Sequence, residues 1–153
     1  MSRSLILALA ALTGSVTPSA AQLVVQGVRD LNFGPVLQGF AATVAPTDPI
    51  KSGQFYLRTP GIGTRVRIQF TLPTQLIGPG NARLAITFGA NDGMAKGTAP
   101  SSVAAFFNPK ATVIYRMVTS ADANVWLGGR ITPTANQPVG SYTNTVIMTV
   151  TVF

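Results

Sequence analysis

The sequence predicts an all-β protein, a sandwich or barrel of short strands, and three observations carry this. Helical periodicity is nearly absent beyond the first 21 residues of the 153-residue chain. Thr, Val, Gly and Pro dominate, and turn residues recur about every eight to fifteen residues. Several runs alternate apolar and polar residues with a period of two, which sets the two classes on opposite faces of a strand.

Residues 1–21 read as a secretory signal. Arg3 is the charged start, Leu5 to Leu12 a short apolar run, and Pro18 to Ala21 a small-residue cleavage site. The run falls short of the roughly 20 residues that a membrane span needs, and no later stretch is long and apolar enough. Residues 22–153 are expected to form one domain, large enough to fold on its own core without disulfides. It must do so, because the chain has no Cys.

Leu23 to Val28 is expected to be a first strand, and Leu31 to Gly34 to lead into a further element. Gln54 to Arg58 makes a short strand, closed by a turn at Pro60 to Gly63. Arg65 to Leu72 is the clearest internal strand: Val66, Ile68, Phe70 and Leu72 point one way, and Arg65, Arg67, Gln69 and Thr71 the other. Gly78, Pro79 and Gly80 then turn the chain into Arg83 to Phe88, with Leu84, Ile86 and Phe88 inward. Gly89 to Pro109, rich in Gly, Ala and Ser, reads as an irregular surface excursion. Thr112 to Val118 is apolar on both parities and is expected to be central. Asn124 to Leu127 runs into a bend at Gly128 and Gly129 and resumes at Arg130 to Thr132. Over Gly140 to Phe153, one parity holds Tyr142, Val146, Met148, Val150 and Val152, and the other holds Thr143, Thr145, Thr149 and Thr151. That run is expected to be a final strand with one greasy face.

Composition argues against an enzyme. The chain lacks His and Cys, so histidine-based triads, thiol nucleophiles and ordinary zinc sites are unavailable. The four acids are Asp30, Asp48, Asp92 and Asp122, all in turn-like contexts, and none pairs convincingly for glycoside hydrolysis. Asp92, beside Asn91 and Gly93, reads as a turn residue rather than a calcium ligand. Gly61 and Gly63 precede no helix and form no phosphate cradle. No catalytic, cofactor or metal site is expected. Eleven Lys and Arg outnumber the acids, for a net charge of +7. Spread along the chain, they read first as a solvated surface and as guards against wrong edge pairing. The functional alternative is a patch of Arg58, Arg65, Arg67 and Arg83 for an anionic partner. Trp126 reads as core packing, with sugar stacking as the alternative.

Leu31 to Gly34, Leu127 to Thr132, Asn136 to Tyr142 and the closing alternating run resemble, in order and spacing, a bacterial secreted pilin-like family. That family is called domain of unknown function 4402 and is related in pattern to spore coat protein U and chaperone–usher pilins. The similarity spans most of residues 22–153, and the C-terminal third carries its specificity. The resemblance implies an immunoglobulin-like sandwich of about seven to nine short strands, completed by a strand from another molecule. Carried over, Val146, Met148, Val150, Val152 and Phe153 would form a polymerisation groove. Leu23, Val25 and Val28 would belong to the donor strand. The chain departs from pilins in one respect: only about nine residues separate the cleavage site from Leu31, room for about one strand. That strand is either a short donor or the domain's own first strand. The absence of Cys favours the cysteine-free branch.

The expected function is that of a non-enzymatic structural subunit of a bacterial surface fibre or coat. It would be exported through the periplasm, with self-association or a periplasmic chaperone and usher as partners. The alternative is a monomeric envelope protein or adhesin that binds anionic glycan through the outer arginines. A nucleic-acid partner and a transmembrane segment are not expected.

Overall fold

A computed structural model describes residues 22–153; the expected signal segment lies outside the described residues. In chain order the strands are β1 (Val24–Arg29), β2 (Ala42–Val44), β3 (Gly53–Arg58), β4 (Arg65–Thr71), β5 (Gln75–Ile77), β6 (Arg83–Thr87), β7 (Gly93–Gly97), β8 (Ala105–Phe107), β9 (Val113–Arg116), β10 (Asp122–Leu127), β11 (Gly129–Thr132) and β12 (Ile147–Val152). Every pairing is antiparallel. The strands form a five-stranded sheet in the order β1-β3-β10-β7-β8, a four-stranded sheet β2-β11-β6-β5 and a three-stranded sheet β12-β4-β9. The chain is therefore an all-β sandwich, as its patterning predicts. No helix among the described residues is long and apolar enough to cross a membrane.

Alternation builds the core. Val66 and Ile68 on β4 and Met148 on β12 meet Leu57, Ala95, Ala123 and Val125 from the five-stranded sheet in one buried cluster. Their partners in alternation, Arg65, Arg67, Gln69 and Thr149, face water. Burying one Leu or Ile side chain in this way contributes about 1.5–3 kcal/mol. Leu84, Ile86 and Phe88 join Leu127 and Ile131 in a second cluster under the four-stranded sheet.

The described residues hold twelve strands rather than seven to nine, and bends that divide continuous paths account for two of the additional ones. Pro73 lacks the N–H that a ladder needs, and separates β4 from β5. Gly128 separates β10 from β11, carrying the chain from the five-stranded sheet into the four-stranded one. A Cβ at Gly128 would run into the Val44 carbonyl and, at 2.8 Å, Pro46 N. The Gly128 N–H donates to the Asp92 carbonyl at 2.7 Å, so the bend is also hydrogen-bonded.

Three local expectations need correction. Gly89 to Pro109 is not an irregular excursion: it holds β7, fully embedded between β10 and β8. Gly93 is small because the Phe107 ring occupies the space a side chain would fill. From there Phe107 stacks on Phe70, with ring centroids 6.2 Å apart, and Phe70 meets Phe55 edge-on at 5.8 Å. Thr112 to Val118 is not central. Its ordered part, β9, is an edge strand, and Ile114 and Val118 point to solvent. Trp126 is not in either core cluster: it lies half-buried on the outer face of β10, opposite Gln54 and Met94.

Gly128→Ala is expected to destabilise the protein by roughly 1–3 kcal/mol, the usual effect of overpacking against immobile backbone. Denaturant titration monitored by circular dichroism measures it. A loss below about 0.5 kcal/mol, as for an ordinary surface substitution, would show that the bend does not need glycine.

Candidate functional site

The four-stranded sheet is unequally covered. Residues from Leu31 to Val36 lie over its apolar face on one side, and Tyr142 and Val146 on the other. Between these two irregular segments runs a groove of about 980 Å³. Leu76, Leu84, Ile86, Leu127 and Ile131 line it from the sheet, Phe33 and Val36 from one wall, and Tyr142 and Val146 from the other. It extends to Phe55 and Gly27, toward the margin where β1 ends the five-stranded sheet.

Two edge strands, β1 and β12, are each paired on one side only. β1 pairs with β3 and β12 pairs with β4, and no ladder joins β1 to β12 among the described residues. Each therefore presents a row of unpaired backbone groups, the template on which another strand can add.

Hydrogen bonds fix the walls. Arg29 closes β1 by donating from Nε to the Ser52 carbonyl at 2.8 Å, and from its terminal nitrogens to the Pro49 carbonyl at 2.5 Å and Ser52 Oγ at 3.0 Å. The Asn32 N–H donates to the Lys51 carbonyl at 2.8 Å, anchoring the first wall to the same loop. That loop is shaped by Asp48, whose carboxylate accepts from the N–H of Lys51 at 2.8 Å and of Ile50 at 2.9 Å. These bonds, Lys51 first, hold the Asp48 carboxyl below the usual aspartate range. On the second wall, Gln137 Nε2 donates to Tyr142 Oη at 2.8 Å and to the Arg83 carbonyl at 3.1 Å. Tyr142 Oη donates onward to the Pro138 carbonyl at 2.7 Å. Asn144 Nδ2 donates to the Gln75 carbonyl at 2.7 Å, and Thr143 exchanges two backbone bonds with Ile77. Tyr142 is thus a wall residue held by its hydroxyl.

The structure separates the residues expected to form one groove. Val146 stands in the groove wall. Met148 and Val150 lie on the inner face of β12 and already pack into the first cluster. Val152 is exposed, and Phe153 turns to the opposite face, its ring 5.4 Å from the Arg67 guanidinium. The ladder starts only at Ile147, so Gly140 to Val146 forms the wall rather than the strand. Of the proposed donor residues, Leu23 packs against the first cluster and Val25 sits opposite Leu57. Val28 falls in a register break between Gly27 and Arg29 and is 52% exposed. The segment is therefore docked as the domain's own edge strand, with little burial on either face. Sequence reading gave no groove role to Phe33, which it held only as part of the Leu31 to Gly34 motif, and missed Val36 and Leu76, because irregular segments and a three-residue strand carry no period.

The four expected arginines do not form one patch. Arg58 ends β3 and approaches Asp122 at 3.6 Å, the one ion pair among the described residues. Tyr56 donates to the same carboxylate at 2.5 Å, which raises the Tyr56 phenol above its ordinary value. Arg83 belongs to β6 and donates to Gln75 Oε1 at 2.8 Å. Only Arg65 and Arg67 share a sheet face. Asp92 is a turn residue as expected, its carboxylate accepting from the Gly89 N–H at 2.5 Å. No cluster of acidic side chains able to hold a metal occurs among the described residues. No protein-family model, curated protein or solved structure matches this chain.

Two outcomes follow for the first wall. Arg29→Ala is expected to raise amide exchange across residues 24–29 at least about tenfold, since lost bonds to a charged donor are worth about 1.5–3 kcal/mol. Hydrogen-exchange mass spectrometry reads it. Because the folded Asp48 pKa is depressed, its contribution is complete above the unfolded value and fades as pH falls through the folded one. The Ile50 and Lys51 amides should therefore lose protection on acidification, and Asp48→Asn should remove that pH dependence.

Proposed function

We propose that this protein is a non-enzymatic structural subunit of a bacterial surface fibre or coat, secreted through the periplasm and assembled by β-strand addition. The observation that carries this reading is the open seam. β1 and β12 each end a sheet with a free edge, and a groove floored by core residues reaches Gly27 and Arg29 of β1 and Val146, just before β12. Added strands take their strength from backbone hydrogen bonds and their specificity from alternate side chains in pockets, and the seam offers both. The resemblance to the pilin-like family, carried by Leu31 to Gly34 and by Leu127 to Tyr142, points the same way.

The donor in this reading is the strand β1 of another copy. Among the described residues one strand precedes Leu31, and in this reading it serves either its own molecule or a neighbour. Its attachment in place rests on the ladder to β3 and on Arg29, with Leu23 against the core, while Val24 to Val28 stay exposed; the same backbone bonds and the Leu23 contact would be made again in a neighbour. In the neighbour's seam, Leu23 and Val25 would enter the groove from one face of the strand. A periplasmic chaperone would hold the seam until export. Lack of His and Cys is compatible with assembly, which requires no reacting group.

The mature chain, run unboiled in SDS and viewed by negative stain, should give ladders and fibres. Removing residues 22–29 should abolish them, and a synthetic peptide of that sequence should cap the truncated chain as a stable one-to-one complex. Val146→Asp should block assembly while leaving the circular dichroism spectrum unchanged. A monomer at every concentration, with no capture of the peptide, would overturn the reading.

A further inference from the structure

We propose that the outer face of the three-stranded sheet is a binding site for acidic polysaccharide, built on Arg65, Arg67 and Arg116. This site lies on the opposite side of that sheet from its core and does not depend on strand exchange.

The register creates the site. Arg65 on β4 stands directly opposite Arg116 on β9, and Arg67 follows two residues along the same face. Directly opposed side chains in an antiparallel pair lie about 4.5–5.5 Å apart at Cβ, where like charges destabilise the sheet. The protein's one ion pair among the described residues lies elsewhere, at Arg58 and Asp122, so no aspartate relieves this repulsion. Three guanidiniums therefore share one strip of an exposed sheet, in a chain with four acids altogether. An anion between Arg65 and Arg116 would turn repulsion into paired, charge-assisted hydrogen bonding.

The surroundings select the class of anion. Arg67 already stacks on Phe153, so its plane is held in place and its outer nitrogens stay available. Ile114 and Ile147, 62% and 54% exposed, flank the strip. Gln69 and Thr112, hydrogen-bonded at 3.0 Å, and Thr149 and Thr151 supply hydroxyl and amide partners on the same face. An exposed sheet face with three clustered cations, apolar side chains and hydroxyls matches a chain of acidic sugars, which presents carboxylates or sulfates, C–H faces and hydroxyls in repetition. Single-stranded nucleic acid binds on aromatic faces open for base stacking, and Phe153, the aromatic ring beside the strip, is engaged with Arg67; duplex DNA is separated by the test below.

The experiment compares the full mature chain with Arg65→Gln/Arg67→Gln/Arg116→Gln and with a control of equal charge loss, Arg58→Gln/Arg83→Gln/Arg130→Gln. Binding to immobilised polygalacturonate, heparin and duplex DNA is read by biolayer interferometry at about 50 and about 300 mM salt, a range over which screening separates ionic from other contacts. The wild type should bind a polysaccharide and weaken with salt; the strip variant should lose at least about tenfold, equivalent to about 1.4 kcal/mol. The control variant should change less than about threefold, and the thermal midpoint of the strip variant should not fall, since a repulsive pair has been removed. Preference for polygalacturonate or for heparin tells carboxylate from sulfate. Equal losses in both variants would reduce the effect to net charge and overturn the site, as would no binding to either polysaccharide. DNA binding as tight as polysaccharide binding, lost with the same strip, would overturn the assignment to sugars.

Discussion

The bend at Gly128 is the constraint on which the rest of the architecture depends. One continuous path, β10 into β11, serves two sheets, and the backbone crowding of Val44 and Pro46 leaves room only for a hydrogen at that position. Up to the bend, the chain lies in the five-stranded sheet, which faces the three-stranded sheet across a conventional core. Beyond it, the chain lies in the four-stranded sheet, whose apolar cluster is met by Leu127 of β10 and by residues of irregular segments. A sheet must bury its apolar face against something. Among the described residues, two irregular segments supply much of that cover, with Leu127 and Leu72 beside them, and they leave a groove between them.

The walls of the groove follow from that cover. Segments without ladders must satisfy their backbone groups by other means. On one side the Asp48 loop and Arg29 do this; on the other, Gln137, Tyr142 and Asn144. These anchors are side-chain bonds at isolated points, which keep the walls apart without closing the space. The groove reaches Gly27 and Arg29 of the edge strand β1, so groove and unpaired backbone lie together there. The basic strip arises separately, from the register of β4 against β9 on the outward face of the other sheet. One face of β4 thus builds the core while the other carries charge.

Much of this was legible in the order of residues. A period of two in Arg65 to Thr71, in Arg83 to Thr87 and in Ile147 to Val152 determined those strands and their buried faces, because side chains alternate whatever lies beside them. The pair Gly128 and Gly129 marked the bend, and the turn at Asn91 and Asp92 followed from side-chain chemistry. Composition alone removed histidine and cysteine chemistry. Tertiary structure decided the rest. The strand β7 carries no apolar pattern, since its glycines are small to admit Phe107 and Ser102 from neighbouring segments. The edge position of β9, the outward Trp126 and the facing of Arg65 by Arg116 depend on which strands become neighbours. Pairing joins residues dozens of positions apart, and local sequence specifies a face of a strand without specifying its partner.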